Sequence, residues 1–498
     1  MTRPHNLLWL GLLGVASLAT FGAASLLPED AQPSLSFFLV LFSVALALTW
    51  CIPDGTNQSQ GRFDIFHPSV LFVATYLLYF VFPAAWLWVE HDYVSQWVSI
   101  GPAPAFTVNT MLFLGIISVA AFGFGARTRL KIGGSVVRHM LYGLDSLRLR
   151  ELRYIIIPFV MIGGLFRLYH LSLFGPPSLD IVGYLSPSAR RDLGINYSQF
   201  YVVLESMLDW AALFGAFYYL GRQAETNGKS SGGIWVLVLI AVVGILSFLV
   251  SGKRSAVVPL VLLPIIWRHY LIRRLSGALG AALLALIAAF IAALLLVRIA
   301  VPLIVLGGDP EKFIGTNLKE LLLFYFDSAE WATFDMVTAS LTYRDTLLAA
   351  IGGPVCGFLK YTFETLVVLV PRAIWPGKPD YEDVGQVYYH LLIGPTHDVG
   401  FAVTVWGTSL LFFHVAGLVL GMFLLGLIFS EIYSTLRPWE RKPSDIFFYS
   451  IFYWMAFQFL RFGTMGFTLL LFVQTMLVGT LAGLFLARKG LNSKGFHA

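Results

Sequence analysis

Residues 403–434 read VTVWGTSLLFFHVAGLVLGMFLLGLIFSEIYS, with Glu431 as the sole acidic side chain, His414 the sole histidine, and no lysine or arginine. A run this long and apolar on every face is not the one-sided stripe of a surface helix. It is what a helix crossing about 30 Å of hydrocarbon requires. The rest of the chain is written the same way. Of 498 residues, 57% are hydrophobic, 15% aromatic and 12% charged, and the mean hydropathy is +0.76. Soluble domains carry about twice that charged fraction. Disorder, coiled coil, collagen and a secreted disulfide scaffold are excluded, and an all-α polytopic integral membrane protein remains.

Further apolar segments fall at 6–27, 33–52, 68–89, 105–125, 154–174, 200–221, 233–250, 256–272, 276–306, 445–460 and 467–487. With 403–434 this predicts about twelve transmembrane helices, each helical because lipid offers the backbone no hydrogen-bond partners. The stretches 276–306 and 403–434 are long enough to tilt or to extend past the bilayer. The segment 6–27 follows Arg3 like a signal peptide but has no small-x-small cleavage site, so it reads as a first anchor. Three regions follow: transmembrane helices 1–9 over 1–306, a large loop over 307–402, and helices 10–12 with the C-terminus over 403–498.

Lysine and arginine set the orientation. With the N-terminus cytoplasmic, the inside segments hold Arg3, Arg62, the basic cluster of 126–153, Arg222, Lys229, Arg268, Arg273, Arg274, Arg437, Arg441, Lys442 and the C-terminal basic residues, whereas 90–104 holds none. This is the positive-inside pattern, with both termini inside. The net charge of +5 reflects that topology and is not a nucleic-acid signal. Cys51 and Cys356 fall on opposite sides, so no disulfide is expected. No metal-ligand spacing of Cys or His occurs, and no cofactor is expected.

The loop 307–402 is too long for a turn. Its moderately apolar pieces, 320–342 and 347–371, are interrupted by Gly352, Gly353, Pro354 and Pro371, and predict interfacial or re-entrant helices. The outer side also collects cations where charge is costly. Lys253 and Arg254 occupy the turn Ser251-Gly-Lys-Arg-Ser255, Arg461 begins Arg461-Phe-Gly463, and Arg372 follows Pro371. Singly, each fits a side chain snorkelling to headgroups. Together, with few carboxylates near them in sequence, they predict an outward-facing anion site at lipid level, because guanidinium forks hold phosphate bidentately and keep their charge when partly buried. Within the spans, Arg167 and His170 face Glu205 and Asp209 across adjacent helices. This predicts a buried ion pair, with an ion or proton relay as the sharper alternative.

Pro371-Arg-Ala-Ile-Trp-Pro-Gly-Lys-Pro379 resembles the proline-arginine…tryptophan-proline…lysine-proline signature of Wzy-type oligosaccharide repeat-unit polymerases. The Ser251–Ser255 turn, the acidic-aromatic stretch Tyr325-Phe-Asp-Ser-Ala-Glu-Trp331 and the layout of spans resemble that family too, over roughly residues 160–470. The resemblance implies a GT-C-like membrane glycosyltransferase of the bacterial inner membrane, metal-independent and with a periplasmic site. It implies undecaprenyl-pyrophosphate-linked oligosaccharide as both donor and acceptor, membrane lipid around it, and a chain-length-regulating co-polymerase as partner. The growing glycan passes to the non-reducing end of a new lipid-linked unit. An O-antigen ligase-type transferase and a glycolipid flippase or polysaccharide transporter are the alternatives. A flippase predicts an internal repeat and a charged central path, neither of which the sequence shows.

Such chemistry needs cations for the departing pyrophosphate and a base for the incoming hydroxyl. Arg254, Arg372 and Arg461 are the first candidates for the cations, followed by Lys253, Arg190, Arg191 and Lys378. The candidate bases are Asp327 and Glu330, which share a helix face, His397 and Asp398 in a glycine-framed loop, and Glu382 or Asp383 after the signature. Asp327 and Glu330 also fit ion pairs with Arg344 or Lys319. Trp375, Tyr381 and Tyr388 present rings for sugar stacking, or belong to an interfacial aromatic belt.

Overall fold

The computed structural model describes residues 31–51, 64–128, 152–174, 199–226, 254–276, 332–370, 384–394 and 401–463, isolated positions apart, with a few single residues in 238–244, 278–282 and 375–377. All regular structure among them is helical. In chain order the helices are α1 (Gln32–Leu46), α2 (Pro68–Tyr76), α3 (Phe82–His91), α4 (Pro104–Arg127), α5 (Leu152–Phe174), α6 (Gln199–Glu225) and α7 (Arg254–Leu271), followed by α8 (Thr333–Thr342), α9 (Arg344–Ile351), α10 (Pro354–Val368), α11 (Val384–Leu392), α12 (Thr404–Leu436) and α13 (Pro443–Phe462). Their bounds follow the apolar segments closely. Proline sits in the first turn of α1, α2, α3, α4 and α13, where its missing N–H costs nothing.

Among the described residues, four helical stretches are long and apolar enough to cross a membrane: Gln32–Cys51, Pro68–Glu90, Pro104–Arg127 and Thr404–Glu440. The first two each contain a π-turn, at Ala47–Cys51 and Leu77–Val81.

The stretch beginning at Val403 is not one tilted rod. His414 has φ 60° and ψ −158°, a region that a side-chain-bearing residue occupies only under constraint. The chain doubles back there. A Cβ on Gly421 would lie 3.4 Å from Ser409 Oγ, positions about 18 Å apart in a continuous helix. A short arm, 404–413, therefore folds against a long arm, 415–436, and the surplus length expected to tilt or protrude is absorbed by this hairpin. Arg344 closes the short arm. Its Nε donates to Leu411 O at 3.0 Å and its Nη2 to Phe412 O at 3.5 Å, carbonyls that the break leaves without helical partners.

The expected interfacial piece 320–342 is described from residue 332 onward. There α8 lies inside the bundle, with every residue from Thr333 to Ser340 buried. Thr333 Oγ1 donates to Tyr79 O at 2.6 Å, a carbonyl in the Leu77–Val81 π-turn, where the i→i+4 ladder is interrupted. At its other end Tyr343 Oη donates to Ser99 O at 3.0 Å. The pair α9 and α10 is bent by 55° at Gly352-Gly353, both glycines having positive φ.

One end of the bundle is tied by Asp64, just before α2. Its Oδ1 accepts the Phe66 amide at 3.0 Å, and its Oδ2 accepts the hydroxyls of Tyr270 at 2.8 Å and Tyr433 at 2.6 Å. His269 Nε2 lies 3.3 Å from Oδ1 without the alignment of a hydrogen bond. Its Nδ1 accepts the Leu275 amide at 3.0 Å, which leaves Nε2 as the protonated nitrogen facing the carboxylate. Tyr449 donates to Phe66 O. Burial alone pushes the Asp64 carboxyl up, but the His269, Tyr433 and Tyr270 donors outweigh it and hold it below the ordinary carboxylate range.

His67 caps α2, its Nδ1 accepting from the Ser69 amide at 3.2 Å. Burial pushes it down to about 4, against the pull of Asp64. Between that value and its usual one near 6.5 the unfolded chain binds a proton that the folded chain refuses. Stability is therefore complete above pH 6.5 and declines as pH falls toward 4. The loss is on the order of 2 kcal/mol once the ring's partial exposure is allowed for. His67→Asn keeps an N-cap acceptor without the titration. The melting temperature of the detergent-solubilised variant should change less between pH 7 and pH 5 than that of the parent. Equal slopes would remove His67 as their origin.

Candidate functional site

The end of the bundle opposite Asp64 is fixed by α7 and α13, which run antiparallel. Trp267 Nε1 donates to Ser450 Oγ at 2.7 Å, and the rings of Tyr270 and Tyr449 meet at 5.7 Å. From that contact the chain climbs about 20 Å along α7 to Arg254 and about 17 Å along α13 to Arg461. Two of the three leading arginine candidates thus occupy the same end, from elements separated by some 200 residues of sequence.

Around Arg461 the site is built from close backbone approaches. Its guanidinium carbon lies 6.0 Å from the Tyr79 ring centroid and 4.7 Å from that of Phe462, a cation held against aromatic faces. Gly463 terminates α13 with φ 71°, and a Cβ there would meet Thr404 O at 2.0 Å. The start of the short arm of α12 is therefore pressed against the end of α13. Thr408 donates to Thr404 O at 2.9 Å, and Trp406 Nε1 to Ser118 Oγ at 3.0 Å, which pins this start within the bundle. Arg461, Gly463, Thr404, Tyr79 and Thr333 form one connected neighbourhood. The arrangement can hold an anion beside a cation that is already partly desolvated, where charge–charge attraction is stronger than in water.

The remaining candidates divide. Lys253, Arg190, Arg191, Arg372, Lys378, Asp327, Glu330, His397, Asp398, Glu382, Asp383 and Tyr381 lie outside the described residues. Trp375 is exposed, at 45% of its surface, a ring free to stack. Tyr388 is fully enclosed, and its hydroxyl shares a hydrogen bond with Ser340 at 2.7 Å. It packs with Val98, Met336 and Phe401, so in this conformation its ring is a core element with no face open to a sugar. Arg344 makes the α12 clamp; Asp327 and Glu330, its expected structural partners, lie outside the described residues.

The expected pair between adjacent helices is present. Arg167 Nη1 lies 2.8 Å from Glu205 Oε1 and Nη2 lies 3.6 Å from Asp209 Oδ1. Arg167 and Glu205 are buried, and such a bridge fixes the pairing of α5 with α6 more than it adds stability.

Sequence reasoning passed over two acids. Asp64 was overlooked because its partners lie more than 200 positions away. Asp335 is the other, a single carboxylate in the apolar run Thr333–Thr342, 9% exposed and in the first turn of α8. Its isolation in that run was the available signal.

These features define an all-α protein with several long apolar helices fit to span a membrane, and with Arg461 in a glycine-pinned neighbourhood at one end. No family model, curated protein or solved structure matches the chain.

Proposed function

We propose that the chain is a lipid-linked oligosaccharide polymerase of the bacterial inner membrane, with about twelve spans in a GT-C-like arrangement and both termini cytoplasmic. On this reading the Asp64 end faces the cytoplasm and the Arg254/Arg461 end the periplasm. The enzyme joins undecaprenyl-pyrophosphate-linked repeat units, passing the growing glycan to the non-reducing end of a new unit. What supports the reading is the common end toward which α7 and α13 carry Arg254 and Arg461, with the Pro371–Pro379 signature in the loop between them in sequence.

The reaction breaks the bond between the anomeric carbon and the pyrophosphate oxygen, and negative charge accumulates on that oxygen as the bond lengthens. Fixed guanidinium groups stabilise this charge without reorganising, and two or three of them do so without a divalent ion. The acceptor hydroxyl supplies the new bond and gives its proton to a base.

The test is chromosomal deletion followed by gel analysis of surface glycan. Deletion should leave single repeat units on their acceptor, and the wild-type gene should restore the ladder. Arg254→Ala and Arg461→Ala should each reduce polymer formation about 100- to 1,000-fold, the range for removing one charge-stabilising donor, in protein that still elutes as a single species. Polymer made normally but never transferred would identify a ligase. Loss of all outward glycan would identify a flippase.

A further inference from the structure

The Asp64 knot also gathers cations. Asp64 Oδ2 accepts from Tyr270 in the last turn of α7 and from Tyr433 in the last turn of α12, so these two helices end side by side. Beyond Tyr270 the chain places Arg273 and Arg274 on a turn held at both sides. The Arg273 amide donates to Arg268 O at 3.1 Å, and the Leu275 amide donates to Nδ1 of His269, the histidine that faces Asp64, at 3.0 Å. Beyond Tyr433 the turn Arg437–Lys442 is as firmly set. Pro438 is buried, the rings of Tyr433 and Trp439 meet at 4.8 Å, and the Arg441 amide donates to Pro438 O at 3.2 Å. Arg437 and Arg441 have φ of 41° and 61°, a left-handed conformation that side-chain-bearing residues adopt at a cost. Arg274 is near enough to Tyr433 to act on it electrostatically, so the two turns are neighbours.

Six cations stand at these two helix ends: Arg268, Arg273, Arg274, Arg437, Arg441 and Lys442. The same segments, 268–276 and 437–445, hold two acids, Glu440 and Asp445. Glu440 lies 3.1 Å from Arg437 and 3.6 Å from Lys442, so one carboxylate serves two cations. Among the described residues, Arg268, Arg273, Arg274 and Arg441 form no ion pair. Arg268, Arg273 and Arg441 are exposed and Arg274 is half-buried. The depth of this excess is fixed as well. One apolar stretch starts here at Pro68 and another stops here at Glu440, which places the cations where hydrocarbon gives way to headgroups. Trp439, half-buried among them, is of the ring type that favours that layer.

We propose that this surface binds the headgroups of anionic phospholipids, whose phosphates bridge the end of α7 and the turn after α12. The proposal goes beyond the polymerase reading and does not depend on it. Guanidinium groups hold phosphate through paired N–H donors, and juxtamembrane cations attract anionic lipid over about one Debye length. A soluble anion meets the patch by charge alone, whereas a lipid is held at this depth by its chains. Bound lipid then fastens from outside the two helix ends that Asp64 joins from within.

The test uses the full chain in a neutral detergent at low salt, with melting temperature read against added phosphatidylglycerol, phosphatidylcholine or glycerol phosphate. Phosphatidylglycerol should raise the melting temperature and the other two should not. In the variant Arg273→Gln/Arg274→Gln/Arg441→Gln the concentration giving half of that rise should increase roughly 100-fold. The same three positions changed to Lys keep the charge and should keep most of the effect. A charge-matched control, Arg3→Gln/Lys489→Gln/Lys494→Gln, should respond like the parent. An unshifted curve for the glutamine variant overturns the proposal. So does an equal shift in the charge-matched control, which would make the effect one of net charge, and so does an equal rise with glycerol phosphate, which would make the ligand a soluble anion. If the triple glutamine variant does not elute as a single species, Arg441→Gln and Arg273→Gln are measured singly, and a response like the parent's in both overturns the proposal too.

Discussion

Asp64→Ala should cost about 3–5 kcal/mol, the range for removing one partner of a buried, hydrogen-bonded charge cluster, and should be the most damaging single polar substitution at that end of the bundle. Three hydrogen bonds converge on one 2%-exposed carboxylate, from the Phe66 amide, Tyr270 and Tyr433, and the His269 Nε2–H faces it at 3.3 Å. Truncation leaves both hydroxyls buried without an acceptor, and each such group forfeits its hydration. The damage is also topological, because the carboxylate joins the approach to α2 with the ends of α7 and the long arm of α12, while Tyr449 adds α13 through Phe66.

Asp64→Asn is the sharper probe. It keeps shape but turns one acceptor atom into a donor facing donors, and its cost should approach that of alanine. Adding Tyr270→Phe and Tyr433→Phe to Asp64→Ala removes the stranded hydroxyls and should recover part of the loss. Thermal unfolding in detergent measures all four proteins. An Asp64→Ala protein melting within a degree or two of the parent would show that the knot does not hold this end together. The acid limb supports the same account from the other direction. Because Asp64 is held below its usual range, its contribution is complete at neutral pH and is lost only as pH falls through that lowered value. The decline between pH 6.5 and 4 therefore belongs to His67.

The elements that could be read from the sequence are those dictated by lipid. A backbone with no outside partner must be helical, so α1, α2, α4 and α13 begin and end close to where hydropathy and proline place them. The Arg167–Glu205 bridge was also legible, because each charge sits in an apolar run where an unpaired charge is costly. The Asp64 knot was not, since nothing local connects Asp64 with Tyr270 or Tyr433. Nor was the reversal at His414. The run Leu410–Leu420 contains neither proline nor a glycine at the break itself, and the reversal is held by Arg344, which is supplied from another helix. Of the site, the shared end of Arg254 and Arg461 follows from the opposite directions of α7 and α13. The burial of Asp335 and of Tyr388 depends on how α8 and α11 insert, which hydropathy does not encode.

Close helix crossings carry the other large effect. Where α4 meets the long arm of α12, a Cβ on Gly125 would fall 1.9 Å from Phe423 O, and one on Gly426 would fall 2.1 Å from Phe122 O. These obstacles are backbone, which cannot swing aside as a side chain can. Gly125→Ala or Gly426→Ala must therefore push the helices apart along a contact that includes the Phe122–Phe429 edge contact, and Phe122 is itself stacked on Phe72 of α2 at 3.6 Å. The expected loss is about 2–4 kcal/mol each, at and beyond the upper end of ordinary overpacking. The two substitutions report on one crossing, so the double variant should lose clearly less than the sum: once the helices have separated for the first methyl, the second enters space already opened. Adjacent glycines in α5 supply the control. A Cβ on Gly163 would meet Leu208 N at 2.3 Å, whereas one on Gly164 meets nothing within 4 Å. Gly163→Ala should destabilise the α5–α6 pair, and Gly164→Ala should be neutral or stabilise by up to about 1 kcal/mol through helix propensity. Melting temperatures of the five proteins decide the matter. Full additivity of Gly125→Ala and Gly426→Ala would mean that the two glycines act at separate contacts, and a costly Gly164→Ala would mean that the α5 face it occupies is covered.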